Sequence, residues 1–303
     1  MILRPVPPFR LDLTVWALRR RPRNAIDRWD GSTYRRVIAL GRRPTELSVV
    51  QDGSPSAPRL SVTTTPPLRT AAERQHVTSL LDSLLGLRAD LSGWYLIAER
   101  DRRLRTLAGR FRGMKPPRFP TLFEALVNAF ACQQLSLIVG LELLNRLAAA
   151  CGVAHGRGGN ARFAFPAPRD VAGLSPAGVQ ALGFSAQKAG ALLALARGIE
   201  RGVFDFQGLA QDEDERVRTR LIELRGVGRW TAEYVMLRGL GRLNVFPGDD
   251  VGAQKSLARW LGRPAALDYD GIGLAVGKWQ PYAGLLYFHL LLDGLSRAGD
   301  VIE

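Results

Sequence analysis

LIELRGVGRWTAEYVMLRGLGRLNVFPGDDVGAQKSLARWLG, residues 221–262, joins two chemical devices in one stretch. Leu221, Ile222 and Leu224 end a helical segment, Gly226-Val227-Gly228 turns the chain, and apolar residues at a period near 3.6 resume from Trp230 to Leu240. The pattern predicts helix, hairpin, helix. The two glycines permit positive φ and a close backbone approach, so the hairpin N–H groups and the next helix N-terminus converge on an anion such as a DNA phosphate. Asn244-Val245-Phe246-Pro247-Gly248 then breaks the helix, and Asp249-Asp250 opens another. An acid is thereby placed at a helix start, where backbone N–H donors surround it.

The motifs GVGRWTAEY and FPGDDVGAQKS, in this order and spacing, resemble the helix-hairpin-helix DNA glycosylases, with the bacterial 3-methyladenine type as the nearest pattern. FRLDLTVWALRR near the start and LVNAFACQQLS in the middle resemble that family too, so the likeness extends over the chain. The hairpin alone also occurs in noncatalytic DNA-binding modules. The acid after a Pro-Gly turn is what points to an enzyme.

A chain of 303 residues, 46% hydrophobic, is globular and long enough for one large core or two modest ones. It contains no apolar run of about 18 residues that would span a membrane. MILRPVPPFR lacks a signal-peptide core, so a bacterial-type cytoplasm, associated with the nucleoid, is expected. The net charge of +14 suits a polyanion. Its excess lies early: residues 1–118 hold 23 Lys and Arg against 10 Asp and Glu, and residues 119–303 hold 19 against 18. Those early arginines either add nonspecific attraction for DNA or solvate the surface. Cys132 and Cys151 read as buried thiols, and two cysteines cannot build the four-cysteine iron-sulfur cluster of some relatives. His76, His155 and His289 lack metal-ligand spacing, so no metal or cofactor is expected, apart from a single structural monovalent cation that hairpin carbonyls would suit.

In chain order, residues 11–15, 34–40, 46–51 and 59–65 read as strands of an antiparallel sheet, and residues 70–85 and 91–111 as two covering helices. Proline-rich MKPPRFP (114–120) marks the boundary between an N-terminal α+β domain, 1–118, and a mainly helical domain, 119–303. Thr121 caps a helix expected to run to Leu147. Ser175 and Ser185 cap two more, and Trp279-Gln-Pro-Tyr282 opens the last.

Cleaving a base from deoxyribose inside a duplex requires flipping it out, which costs a few kcal/mol. A pocket, a wedge and an acid are then needed. Trp230 and Tyr234, four apart on one helix face, line the base pocket by resemblance, or form a core pair. Trp16 has the same two readings. Gln133 and Gln134 interrupt apolar text, and by resemblance Gln134 falls where a side chain fills the gap left by the flipped nucleotide, a position that is Leu in the bacterial enzyme. Gly226, Val227, Gly228, Arg229 and Thr231 are the expected DNA-binding hairpin residues. Asp250 aligns with the family's catalytic acid, a carboxylate that stabilises the oxocarbenium-like sugar. Asp249 is its rival, or a cap. Strand-cleaving relatives carry a Lys where Trp230 stands here, which implies a monofunctional enzyme. The resulting expectation is a monomeric DNA glycosylase that excises alkylated purines from double-stranded DNA. A glycosylase for oxidised or deaminated bases and a noncatalytic DNA-binding protein are the alternatives, and the last helix, Leu-Leu-Leu where the bacterial enzyme adds a pocket Trp, bears on the lesion.

Overall fold

Period-two text in residues 33–65 forms the expected sheet, and the computed structural model, which describes residues 1–301, adds two short strands to it. β1 (Ile2–Leu3), β2 (Arg28–Trp29), β3 (Thr33–Leu40), β4 (Arg43–Gln51) and β5 (Leu60–Thr65) lie in the order β1-β5-β4-β3-β2, all pairs antiparallel. Leu47, Val49, Leu60 and Val62 are buried in one cluster with residues of α1 (Leu11–Arg19) and α2 (Ala71–Leu84). Each such side chain contributes about 1.5–3 kcal/mol on burial. Thr70 closes a capping box with Glu73 at the start of α2.

Helix α1 replaces the strand expected at 11–15. Leu11, Val15 and Leu18 pack toward the sheet while Leu13 and Ala17 join a second cluster, so burial on two faces hides the helical period. Residues 91–111 likewise form two helices, α3 (Ser92–Glu99) and α4 (Arg102–Arg110). Asp101 divides them by accepting from the amides of Arg103 and Leu104 at 3.0 and 3.2 Å.

The rest is helical: α5 (Leu122–Cys132), α6 (Leu137–Cys151), a hairpin of β6 (Ala154–His155) and β7 (Arg162–Phe163), α7 (Pro168–Ala172), α8 (Pro176–Ala181), α9 (Ala186–Glu200), α10 (Asp214–Ile222), α11 (Arg229–Val235), α12 (Val251–Leu261), α13 (Tyr269–Gly277) and α14 (Ala283–Arg297). Thr121, Ser175 and Ser185 cap α5, α8 and α9 as the sequence predicts. The helix expected from Thr121 to Leu147 breaks between α5 and α6. Gln134 there is left-handed, φ 53°, and Ser136 caps the second half. Gln133 and Gln134 thus lie in a loop, not on a helix.

Helices α5 to α11 share one apolar cluster, and α3 and α4 share another with α12 to α14, so residues on both sides of position 118 build the second. A buried ion cluster ties the sheet to α5: Arg36 donates to Asp27 at 2.8 Å and to both Glu124 carboxylate oxygens at 2.6 Å. Among the described residues no helix is long and apolar enough to cross a membrane.

Candidate active site

The hairpin forms where α10 ends. The Val227 amide donates to the Leu224 carbonyl at 3.0 Å, and Gly226 turns the chain at φ +83°. A Cβ at Gly226 would stand 2.8 Å from Ala191 Cβ of α9, so both the backbone and the packing demand glycine. Gly228 differs from expectation: at φ −103° it is extended, and a Cβ there would meet nothing within 4 Å. It caps α11, whose first N–H groups have no intrahelical acceptor. Val227 and Thr231 are buried, whereas Gly226, Gly228 and Arg229 are exposed. Gln133 stitches its loop to the hairpin, Nε2 donating to the Gly226 carbonyl at 2.9 Å and to Thr231 Oγ1 at 2.8 Å. Gln134 remains exposed beside Leu135.

Asp250 caps α12, its Oδ1 accepting from the Ala253 amide at 2.8 Å. Its Oδ2 accepts from Trp230 Nε1 at 3.3 Å and from the Tyr287 hydroxyl at 3.2 Å. A carboxylate offers about four lone-pair directions, so one stays free beyond these three donors. Asp249 is engaged elsewhere, paired through both oxygens with Arg229 at 2.6 and 3.0 Å. The turn just before them is gripped as well. Glu233, 2% exposed, accepts from the Gly248 amide at 3.1 Å and from the Tyr269 hydroxyl at 2.6 Å, while Gln254 donates to the Gly248 carbonyl at 2.9 Å. Burial raises the Glu233 pKa against these hydrogen bonds, which lower it. The Arg229 guanidinium lies 3.7 Å from the Tyr269 ring centroid.

Of these groups, Arg229, Trp230, Asp249, Asp250, Ala253 and Tyr287 border a cleft of about 1290 Å³. Trp230 and Tyr234 stack along one wall, centroids 5.3 Å apart and planes at 28°. The cleft also brings together Gln133, Gln134, the hairpin from Gly226 to Thr231, Asp249 and Asp250. Trp16 is not among its lining residues; it packs against the cluster of α3, α4 and α14 with the Arg19 guanidinium 4.9 Å from its ring.

Four lining or supporting residues escaped the sequence reading: Arg20, Lys188, Tyr287 and Glu233. Arg20, 4% exposed, donates to the Tyr234 hydroxyl at 2.8 Å. Lys188 Nζ donates to the Gln133 carbonyl at 2.6 Å and bolsters the loop; burial lowers its pKa. Burial and the Asp250 charge push the Tyr287 hydroxyl well above the ordinary tyrosine range, so it stays a donor to that carboxylate. Lys255 of α12 is exposed on the cleft rim. The carbonyls of Leu221, Leu224 and Gly226 each accept a hydrogen bond and keep a second lone pair, the oxygen donor type that a hairpin cation would take.

The pattern of the HhH-GPD superfamily base excision DNA repair proteins matches residues 127–275. The chain is 28% identical over 222 residues to the DNA-3-methyladenine glycosylase of Bacillus subtilis (strain 168), which covers 72% of this chain and 73% of that one. It is 31% identical over 178 residues to DNA-3-methyladenine glycosylase 2 of Escherichia coli (strain K12), covering 59% and 60% respectively. Among solved structures, a 3-methyladenine DNA-glycosylase from Archaeoglobus fulgidus superposes over 100% of both chains with TM-score 0.83 at 22% identity, a likeness of fold. Residues 127–275, which contain the Gln133–Gln134 loop, the hairpin and both aspartates, are thus an HhH-GPD superfamily domain.

Proposed function

We propose that the protein is a monofunctional DNA glycosylase that removes alkylated purines of the 3-methyladenine type from double-stranded DNA, the first step of base excision repair. The observation that carries this reading is the Asp250 carboxylate, held by three donors with one lone-pair direction free, beside the Trp230–Tyr234 stack. The amides of Gly228, Arg229 and Trp230 take a phosphate, Gln134 enters the gap in the duplex, and the flipped base lies against the aromatic wall. As the bond from base nitrogen to C1′ breaks, its electron pair leaves with the base. The sugar becomes oxocarbenium-like, and Asp250 stabilises that charge. Water then adds to C1′ and gives up a proton, leaving an abasic site.

Trp230 occupies the position from which strand-cleaving relatives attack, and an indole cannot form a Schiff base. One chain supplies every group named, the basis for reading it as a monomer, and a DNA substrate is the basis for reading it as acting on the nucleoid in a bacterial cytoplasm. The test is incubation of the protein with methylated duplex DNA. Free methylated purine should be released while the strand remains uncut until alkali is added, and borohydride should trap no protein–DNA adduct. A trapped adduct lost on Lys255→Ala or Lys188→Ala would overturn the monofunctional assignment, and absence of any released base would leave only a DNA-binding role.

A further inference from the structure

Arg20 ends α1 in the left-handed region, φ 64°, a conformation that side-chain-bearing residues seldom adopt. From there its guanidinium reaches the base end of the cleft, one nitrogen on the Tyr234 hydroxyl at 2.8 Å and another on Asn128 Oδ1 at 2.7 Å. Asn128 is fixed in turn by donating to the Glu124 carbonyl at 3.0 Å. A second guanidinium, that of Arg238, 1% exposed, lies 5.8 Å from the Tyr234 ring centroid and donates to the carbonyls of Ala17 and Leu18 at 2.9 and 3.3 Å. Among the described residues no carboxylate hydrogen-bonds either cation; the buried carboxylates Asp27 and Glu124 both go to Arg36. Burying a charge without a hydrogen-bonded counterion is strongly unfavourable, and here two such charges adjoin one tyrosine. That tyrosine hydroxyl accepts from Arg20, and no hydrogen bond described uses its own proton. Burial raises its pKa, so the proton stays available.

We propose that Arg20 is a specificity-determining residue: acting through the Tyr234 hydroxyl, it supplies a charge-assisted donor that stabilises bases leaving as anions, and so favours neutral damaged purines relative to cationic ones. The proposal rests on the glycosylase reading above. When a neutral purine such as hypoxanthine departs, the electron pair of the glycosidic bond stays on its nitrogen and the base is anionic until water protonates it. A donor backed by a cation lowers that barrier. A purine methylated at N7 is cationic while attached and leaves neutral, so it needs no such donor. In both cases the sugar cation forms opposite Asp250 and is captured by water, and no co-reactant other than water is required.

The experiment measures single-turnover release of hypoxanthine and of 7-methylguanine from otherwise identical duplexes. Its readout is the ratio of the two rates in the wild type, Arg20→Met, Arg20→Lys and Tyr234→Phe. The ratio should fall about tenfold or more in Arg20→Met and in Tyr234→Phe, the worth of one charge-assisted hydrogen bond, and Arg20→Lys should recover part of it by restoring the charge. An unchanged or increased ratio in Tyr234→Phe overturns the proposal, and that variant decides alone if Arg20→Met does not fold. Wild-type release of 7-methylguanine without hypoxanthine contradicts it too. Release of neither base by a wild type that still frees 3-methyladenine from methylated DNA overturns the proposal as well, whereas release of no base from any of these substrates sinks the glycosylase reading itself.

Discussion

The turn at residues 247–250 and the loop at residues 133–136 border the same cleft and are built in opposite ways. In the turn, Gly248 is held at its amide by Glu233 and at its carbonyl by Gln254, Asp249 is held by Arg229, and Asp250 by Trp230, Tyr287 and the Ala253 amide. In the loop, Gln133 and Lys188 anchor one end, and beyond them Gln134 stands exposed in a left-handed conformation next to Leu135, 44% exposed. A carboxylate that stabilises a transient cation is effective only if it is placed before the charge develops, because reorganising it would consume the gain. A side chain that enters DNA must instead stand free of its own protein. The difference predicts that changes in the turn lower the chemical rate with little effect on binding, and that changes in the loop and hairpin do the reverse.

The largest effect should come from Asp250→Asn, which keeps the cap geometry and removes the charge: base release should fall by about 10³ or more, while affinity for an abasic-site analogue stays near that of the wild type. Next, Gly228→Asp places a negative side chain in the open space before α11. Gel-shift affinity for undamaged duplex should drop about tenfold, equally for all sequences, because a phosphate contact is lost; unchanged affinity removes the hairpin from the interface. Glu233→Gln preserves shape but leaves one acceptor where two hydrogen bonds converge, so the single-turnover rate should fall about tenfold, in line with one to two kcal/mol per hydrogen bond, at unaltered DNA affinity. A change confined to affinity would show that Glu233 does not act on the turn. Smallest is Gln134→Ala. Base flipping, followed by the fluorescence of 2-aminopurine opposite or beside the lesion, should weaken about threefold, since an amide inserted into a stack gives up part of its hydration to do so; a loss of chemical rate without a loss of flipping would make Gln134 part of the turn's machinery instead.

Local signals carried the sequence reading, and long-range ones did not. Pro-Gly-Asp-Asp before an apolar helical period marks a helix start, because a cap hydrogen bond is made within four residues, but the text does not say which aspartate caps it; in the fold it is Asp250, not the Asp249 that the sequence also offers as a cap. The sheet is legible in 33–65, where alternating burial leaves period-two text. Helix α1 is not, because burial on two faces erases its period. Arg20 meets Tyr234 across 214 residues and Tyr287 meets Asp250 across 37, distances over which text gives no pairing. A signal did exist for Glu233 and Arg238. Each is a charged residue inside the apolar run WTAEYVMLRGL, where burial without a partner would be costly, so each implied a partner that only the fold could name.

The central claim is that the carboxylate at 250, not its neighbour at 249, stabilises the sugar cation, and it is tested most directly by single-turnover base release from one alkylated duplex with Asp249→Asn and Asp250→Asn side by side. Asp249 pairs with Arg229 on the exposed lip while Asp250 sits between Trp230 and Tyr287. Asp249→Asn should therefore release base within about threefold of the wild-type rate, the range of a surface ion pair worth under 1 kcal/mol, and Asp250→Asn should release none above background. A silent Asp249→Asn beside an active Asp250→Asn would contradict the assignment.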